Sequence, residues 1–411
     1  MLKNIINKRQ GITLIALVVT IIVLLILAGV SISMLTGQNG ILNRAKDAKE
    51  KTELAQKEEN EKMQGYEDII NRYNDLPAKE ETKPYYPNST FGYKEGDLNS
   101  GLVIKDSDGN EYVWVEVPTT IYTDIKYNIT GTTITENEWE KIRDCLKAYT
   151  SDYSNSSYKD TDTDGTTYSN DYKDMLKSVY KNGGFWIGRY ETGYEINKSK
   201  GETIRDYGID YDTEHLITQK AVIKKDAYPY NWVRRDQAQT LAGSMNYDGV
   251  TSSLIYGVQW DLVLKYIETK NATTKSNLTT DSTKIGNYYN SKFTLNRGKF
   301  AQYNALSNWF DYNSEEKKAL VTGNQKQVQS SKTNAILLTT GATEDTKLQN
   351  IYDIAGNVWE WTLEFYSTSN PWVYRGGRCY GIGSSIPAKE RSSCIIDSCD
   401  NLIGFRIVLW R

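Results

Sequence analysis

The chain opens on one long apolar run and is mostly polar after it. Residues 12–35 carry no charged side chain, whereas Lys3, Lys8 and Arg9 precede them. As an α-helix this run would extend about 36 Å, which is enough to cross a bilayer. The basic flank predicts a single-pass protein whose N-terminus stays in the cytoplasm and whose remaining chain is extracellular. A secretory signal is the alternative, but its apolar core is normally shorter.

A charged segment follows the apolar run. Residues 36–76 are rich in Ala, Lys, Glu and Gln, and oppositely charged residues such as Lys49 and Glu53 are four positions apart. This spacing favours a solvated helical stalk, and a disordered charged linker is the alternative. Residues 77–95 contain three prolines and several charges, so we expect a linker there.

From residue 96 onward the pattern changes to short strands with a few helices. Residues 102–105 and 112–117 flank an Asp-Gly turn and predict a β-hairpin. A further strand is predicted at residues 184–191, amphipathic helices at 139–148, 236–241 and 258–267, and long loops over 268–345. The predicted fold class is therefore α+β, with an N-terminal helix and stalk ahead of a loop-rich domain over residues 96–411.

Composition narrows the range of functions. The net charge is −3, which gives no basic footprint for nucleic acid. The single histidine, His215, argues against a histidine-based zinc or iron site and against a Ser-His-Asp triad.

Three motifs near the C-terminus stand out: DIAGNVWEW at 353–361, RGG at 375–377 and GFR at 404–406. Trp359 and Trp361 are two positions apart and should therefore lie on the same face of a strand. The glycines permit close backbone approach. The two arginines of these motifs, Arg375 and Arg406, are set among aromatic residues and suit buried planar ion pairs or stacking on rings.

These motifs, together with GFWIGRYE at 184–191, resemble the formylglycine-generating enzymes (sulfatase-modifying factors), whose fold is a variant of the C-type lectin fold. The resemblance implies a lectin-like domain over residues 96–411. It also implies a structural calcium ion at the first motif, held by the side chains of Asp353 and Glu360 and the carbonyl oxygens of Gly356 and Val358. Such hard oxygen ligands suit calcium. A metal-free turn held by backbone N–H groups is the alternative.

The enzymes of this family use a cysteine pair shortly after the RGG motif to bind copper, which soft thiolates favour. The corresponding positions here are Gly381 and Ile386. Cys379 lies close by but out of register, and Cys394 and Cys399 have the expected separation at the wrong place. The domain is therefore predicted not to be an enzyme.

The N-terminal string KRQGITLI at residues 8–15 resembles a type IV prepilin leader. The resemblance implies that prepilin peptidase removes the leader 1–11 by cutting between Gly11 and Ile12, that the apolar helix is retained, and that other pilins are possible partners. Pilins usually carry Glu at the fifth mature position, where this chain has Ala16. Because that Glu pairs with a neighbouring subunit in family filaments, its loss favours a membrane anchor or a minor subunit over a major pilin.

Residues 378–386 and 391–402 fit neither the strand period nor the helix period, and both runs lack Lys, Glu, Gln, Met and Trp. They resemble the variable region of diversity-generating-retroelement target proteins, which share the lectin-like fold, and an ordinary loop is the alternative. The resemblance implies a variable region at about 378–402. Its exposed ligand-binding residues would be Arg378, Tyr380, Ile382, Arg391, Ile395, Ile396 and Asp397.

Together these patterns predict a single-pass protein of the cell surface or a pilus whose lectin-like head binds an unknown protein or glycan. A structural pilin or pseudopilin subunit is one alternative, and a copper-dependent formylglycine-generating oxidase is another. A lectin-like fold does not by itself imply a sugar ligand.

Overall fold

The structure is a computed structural model, and it describes residues 16–30, 44–57, 59–60, 84–122, 138–195, 220–245, 247–303, 309–314 and 320–411. The chain divides into two compact units, Met1–Leu76 and Pro77–Arg411.

The first unit contains helices α1 (16–30) and α2 (44–57). Helix α1 lies inside the predicted transmembrane segment 12–35, and α2 lies inside the predicted stalk 36–76. Among the described residues, no helix is both long and apolar enough to cross a membrane. The leader 1–11 and its predicted cleavage between Gly11 and Ile12 lie outside the described residues, so these stay predictions.

The second unit combines five helices with short strands in the described residues. The helices are α3 (Glu138–Tyr149), α4 (Asn170–Asn182), α5 (Arg235–Gly243), α6 (Gly257–Thr269) and α7 (Lys275–Thr279). The strands are β1 (Gly92–Glu95), β2 (Val103–Lys105), β3 (Glu111–Glu116), β4 (Gly184–Gly188), β5 (Gly193–Tyr194), β6 (Tyr228–Pro229), β7 (Thr251–Leu254), β8 (Phe293–Thr294), β9 (Lys299–Gln302), β10 (Trp309–Asp311), β11 (Val321–Thr322), β12 (Gln325–Lys326), β13 (Ile336–Leu338), β14 (Trp359–Thr362), β15 (Trp372–Arg375), β16 (Arg391–Cys394), β17 (Ile403–Phe405) and β18 (Ile407–Trp410).

The largest sheet has the order β1-β2-β3-β4-β18-β7. The predicted hairpin is confirmed as β2 and β3, which pair antiparallel. Strand β18 lies between β4 and β7 and is antiparallel to both. Because helices cover this sheet, its central strands β4 and β18 are buried throughout.

Helix α6 packs against β3 and α3. It begins one residue before the predicted stretch 258–267 and ends two residues after it, so the prediction is confirmed. Its first N–H groups, at Gly257 and Val258, donate to the buried carboxylate of Asp160 at 2.6 and 3.0 Å. A carboxylate at this end of a helix satisfies unpaired N–H groups and the helix dipole together.

The predicted linker 77–95 differs from the structure. Strand β1 pairs with β2, and the indole N–H of Trp186 donates to the carbonyl oxygen of Tyr85 at 2.8 Å. The Tyr85 ring also packs edge-on against Trp114. The described part of this segment therefore belongs to the head. Its aromatic side chains pack against the core, although prolines and charged residues lie next to them in the sequence.

A second sheet of four strands, in the order β16-β15-β14-β17, carries the C-terminal motifs. Side chains alternate between its two faces, so Trp359 and Trp361 of β14 share one face with Tyr374 of β15, whereas Glu360 and Arg375 share the other. The prediction of one aromatic face is confirmed. Residues 268–345, predicted as loops, also contribute two small three-stranded sheets.

Candidate ligand-binding surface

The aromatic face of the four-stranded sheet reaches solvent at β15 and β16. Tyr374 lies opposite Ser392 in the register, and the Ser392 hydroxyl donates to the phenolic oxygen of Tyr374 at 3.1 Å. Beneath them, Trp359 and Trp361 are buried and meet the Tyr374 ring edge-on, with centroids 5.1 and 5.3 Å away. Tyr374, Ser392 and Cys394 are only partly buried. The two buried tryptophans thus hold the partly exposed Tyr374 ring in place.

A group of basic and aromatic side chains, together with one aspartate, borders this face; we call it the basic–aromatic patch. The patch consists of Tyr303, Lys332, Arg378, Tyr380 and Asp400. The Tyr303 and Tyr380 rings lie 4.3 Å apart, and the cations of Arg378 and Lys332 lie 5.5 and 5.7 Å from the Tyr380 ring. Arg378 also approaches Asp400 at 3.9 Å.

Charge interactions connect the patch to Tyr374. Burial raises the pKa of Tyr374, and the nearby charge of Asp400 raises it further whereas that of Arg378 lowers it. The patch adjoins the aromatic face along the chain, since Arg378 follows the end of β15, the strand that carries Tyr374, and Asp400 precedes β17.

The backbone beneath the patch is held by hydrogen bonds to loops that are distant in the sequence. The N–H of Cys379 donates to the carbonyl oxygen of Asn357 at 2.9 Å, and the hydroxyl of Tyr288 donates to that of Ile386 at 2.9 Å. Gly377 has φ of +85°, and a Cβ there would come within 2.4 Å of the Ile386 carbonyl oxygen. Glycine is therefore required at this position.

The structure places six of the seven predicted ligand-binding residues at least partly in solvent. Ile395 and Ile396, at the turn after β16, are 60% and 52% exposed, and Asp397 beside them is exposed. Arg378, Tyr380 and Ile382 are partly buried. The six residues are spread over positions 378–397. Among them, Arg378 and Tyr380 contact each other in the basic–aromatic patch.

Arg391 does not fit the prediction of an exposed ligand-binding residue, because its side chain is only 6% exposed. It donates to Asp261 at 2.9 Å, to Glu364 at 2.7 Å and to the carbonyl oxygen of Tyr153 at 2.8 Å. Arg391 projects from the sheet face opposite to Tyr374, toward α6. It is a core residue of this fold.

The predicted calcium ligands are engaged with protein groups. The carboxylate of Asp353 accepts from the Thr346 hydroxyl at 2.8 Å and the Gly341 N–H at 2.9 Å. The two oxygens of Glu360 accept from the buried Arg406 at 2.7 and 2.9 Å.

Because the guanidinium of Arg406 already holds both Glu360 oxygens, Glu360 does not fit the role of a calcium ligand, and the predicted set of Asp353, Gly356, Val358 and Glu360 is incomplete in this arrangement. Across the described residues, no group of three or more His, Cys, Asp and Glu side chains forms a metal site. The resemblance implied calcium at this turn, and the ion pair between Glu360 and Arg406 argues against it.

Glu191 holds the motif turn in place, a role that was not predicted from the sequence. It is fully buried and accepts from the side-chain amide of Asn357 at 2.6 Å and from the N–H of Val358 at 3.2 Å. Burial raises its pKa, and the neighbouring charges of Asp353 and Glu360 raise it further. Glu191 therefore fixes the motif turn from inside. The signal was its place at the end of GFWIGRYE.

The cysteines have the properties of core or loop residues. No disulfide joins the four cysteines, all of which the structure describes. Cys379 is fully buried, and burial raises the pKa of its thiol to about 12. A thiol that stays protonated at neutral pH is a poor copper ligand and a poor nucleophile.

These features define a mixed helix-and-sheet domain of the C-type-lectin-like class, with a partly exposed aromatic sheet face at its C-terminal motifs. Residues 94–410 match the family model described as the sulfatase-modifying factor enzyme 1-like domain, and the chain belongs to this FGE-sulfatase family. The resemblance predicted from the C-terminal motifs is thereby confirmed.

Among solved structures, the chain is similar to Treponema denticola variable protein 1, with a TM-score of 0.23 and 11% sequence identity over 82% of this chain and 100% of that chain. No curated protein matches the chain.

Proposed function

We propose that the head is a non-enzymatic ligand-binding module and that the aromatic face and the basic–aromatic patch form its binding surface. The observation that carries the proposal is the set of partly exposed Tyr374, Arg378 and Tyr380 side chains on a backbone that buried groups hold in place. Tyr and Arg side chains supply much of the binding energy at protein surfaces. A fixed scaffold reduces the entropy that is lost on binding.

The chemistry of the cysteines supports a binding role over oxidase activity. Gly381 and Ile386 occupy the two positions of the family's cysteine pair. The Cys379 thiol lies buried beneath the patch instead of facing a substrate.

Display of the head at the cell surface or on a pilus is part of the proposal. The uncharged run 12–35 and the basic residues before it support a single membrane pass with the head outside. Mass spectrometry of the membrane-bound protein tests the leader. A mature N-terminus at Ile12 supports prepilin processing, whereas an N-terminus at Met1 or a release of the head from the membrane contradicts it.

Retroelement diversification of residues 378–402 is also proposed. Its support is the biased composition of the segment together with the exposure of Ile395, Ile396 and Asp397. The DNA around the gene decides the matter. A nearby near-copy of the codons for 375–406 that differs at adenines, beside a reverse transcriptase gene, is the expected result. The absence of such a copy contradicts diversification and leaves the binding proposal intact.

The ligand-binding proposal is tested by panning the full-length protein against a glycan array and a phage-displayed peptide library. The wild type is compared with the triple variant Tyr374→Ala, Arg378→Ala, Tyr380→Ala. The matched control is Tyr366→Ser, since Tyr366 is 42% exposed but stacks on Tyr158, near Arg391 and away from the patch. We expect ligands whose affinity falls at least about tenfold in the triple variant only. Ligands that bind all three proteins equally, or a library with no binder, contradict the proposal.

A further inference from the structure

One buried arginine of the head has no partner. Five arginines have buried side chains in the part of the chain that the structure describes: Arg189, Arg235, Arg375, Arg391 and Arg406. Four of them form ion pairs with carboxylates at 3.2 Å or less. Arg235, although only 8% exposed, forms no ion pair and no side-chain hydrogen bond with any described residue, and its Nε atom is buried without a partner.

The contrast with the preceding residue is sharp. Arg234 is more exposed and donates to Asp236 through Nε and Nη2 at 3.0 and 2.9 Å. Taking a guanidinium out of water without a partner is unfavourable, and folded chains avoid it. An arginine that keeps this arrangement in the free protein is suited to a partner supplied from outside.

Arg235 lies at the edge of the candidate ligand-binding surface. It begins α5, which packs against β14. The backbone just before Arg235 is hydrogen-bonded to this surface: the N–H of Trp232 donates to the carbonyl oxygen of Asp400 at 3.1 Å, and the indole N–H of Trp361 donates to that of Val233 at 2.8 Å. Cys394 shares the sheet face of Tyr374 and Ser392, and the exposed Ile395 and Ile396 follow it directly.

We infer that Arg235 is a subsite for a carboxylate group of the ligand. The inference rests on the proposed ligand-binding function, and it adds the chemical class of one ligand group. A carboxylate matches the two parallel N–H donors of a guanidinium. The side chains of Ile395 and Ile396 would cover the apolar part of the ligand next to that carboxylate.

The surroundings of Arg235 favour a single negative charge. The carboxylate of its chain neighbour Asp236 pairs with Arg234 at 2.9 Å and not with Arg235. The negative charge of Asp236 disfavours a doubly charged phosphate at Arg235 more strongly than a monoanionic carboxylate. The carboxylate could belong to an acidic amino acid or a uronic sugar, and both present the same group.

The experiment measures the protection of Arg235 in the full-length protein. Modification by phenylglyoxal is followed at single arginines by tandem mass spectrometry, with acetate, N-acetylglutamate amide, glucuronate or inorganic phosphate as the probe. We expect carboxylate probes to slow the modification of Arg235 several-fold and to leave Arg234 unchanged, with phosphate less effective. Stronger protection by N-acetylglutamate amide points to a peptide ligand, and stronger protection by glucuronate points to a glycan.

Two variants provide the controls. Because Arg235 has no partner to lose, Arg235→Met should melt at the wild-type temperature or above it, and it should lose the rise in Tm that carboxylates give the wild type. Arg234→Gln should keep that rise. Equal rises in the wild type and Arg235→Met, or the absence of both protection and a rise, overturn the subsite.

This outcome is separable from that of the panning experiment. If panning yields ligands that depend on the patch but carboxylates do not protect Arg235, only the subsite is contradicted. If carboxylates protect Arg235 but panning yields no ligand that depends on the patch, the proposed function of the larger surface is contradicted.

Discussion

Arg375 and Arg391 lie opposite each other on β15 and β16, and both guanidinium groups donate to the same carboxylate, that of Asp261. Like charges at facing positions of two strands normally repel. Here Glu364 also accepts from both arginines, at 3.2 and 2.7 Å, so two carboxylates balance two cations in the core. The inner face of the sheet is therefore held by a closed ionic network.

This network predicts different roles for two arginines of the segment 378–402. Arg391→Ala should lower the free energy of unfolding by about 3–5 kcal/mol, because it leaves buried carboxylates without a partner. Arg378→Ala should change it by about 0.5 kcal/mol or less, since Arg378 is partly exposed and only approaches Asp400. Urea denaturation of both variants measures the difference. Equal effects would contradict the assignment of Arg391 to the core.

The pH dependence of stability should contain a contribution from Asp160. Burial, reinforced by the charge of Glu364, raises the pKa of Asp160 to about 7. Because this folded-state pKa lies above the unfolded value, the contribution is complete below about pH 4 and is lost as the pH rises through about 7, with a slope of about 1.4 kcal/mol per pH unit.

The control for Asp160 is Asp160→Asn, which resembles the protonated acid. Urea denaturation of both proteins over this pH range gives the difference in their free energies of unfolding. The stability of the wild type relative to the variant should fall as the pH rises. A difference that stays constant would show that Asp160 is ionised throughout, held by the N–H groups of α6.

The four cysteines should differ in their reaction with iodoacetamide at neutral pH. Cys379 is fully buried with a raised pKa, so the folded protein should protect it. Cys394 and Cys399 are only partly buried and should react sooner. Peptide mass spectrometry reports each site, and the protein unfolded in guanidinium serves as the control in which all four react. Rapid labelling of Cys379 in the folded protein would revive a catalytic interpretation.

Calcium binding at the motif turn can be measured directly. Because Arg406 holds both oxygens of Glu360, we expect calorimetric titration of the EDTA-treated full-length protein with calcium to give no heat of binding and no rise in Tm. Heat together with a rise in Tm that Glu360→Gln removes would instead show that calcium displaces the guanidinium. The ligand set predicted from the sequence would then be correct.

Local sequence patterns correctly predicted features that depend on a single strand or turn. The two-residue spacing of Trp359 and Trp361 placed both on one strand face, and the Asp-Gly turn marked the β2–β3 hairpin. The suggestion that Arg375 and Arg406 form buried ion pairs is confirmed. Each of these features follows from a short-range period or from the chemistry of a single residue.

Features that depend on contacts between distant segments could not be predicted. Asp261 and Arg375 are 114 positions apart, and nothing in either neighbourhood marks them as partners. Arg391 is followed by two serines, so no alternation of polar and apolar residues predicts which face of the strand it occupies. Its inward orientation follows only from its pairing with Arg375 of β15. Arg235 lacks an ion-pair partner among the described residues because no carboxylate lies within reach of its guanidinium. That depends on the three-dimensional positions of the carboxylates, which the sequence does not show.

The position of β18 in the middle of the six-stranded sheet bears on how changes in residues 378–402 are tolerated. This strand follows the segment in the chain and supplies the pairing partner of both β4 and β7. A frameshift or a stop codon within the segment would remove β18 and leave two strand edges of a buried sheet open. Such a product could not complete its core and would be exposed to proteolysis. A stable head therefore requires an intact reading frame through residues 378–402. In-frame substitutions at exposed positions leave β18 in place, whereas frameshifted or truncated chains lack it.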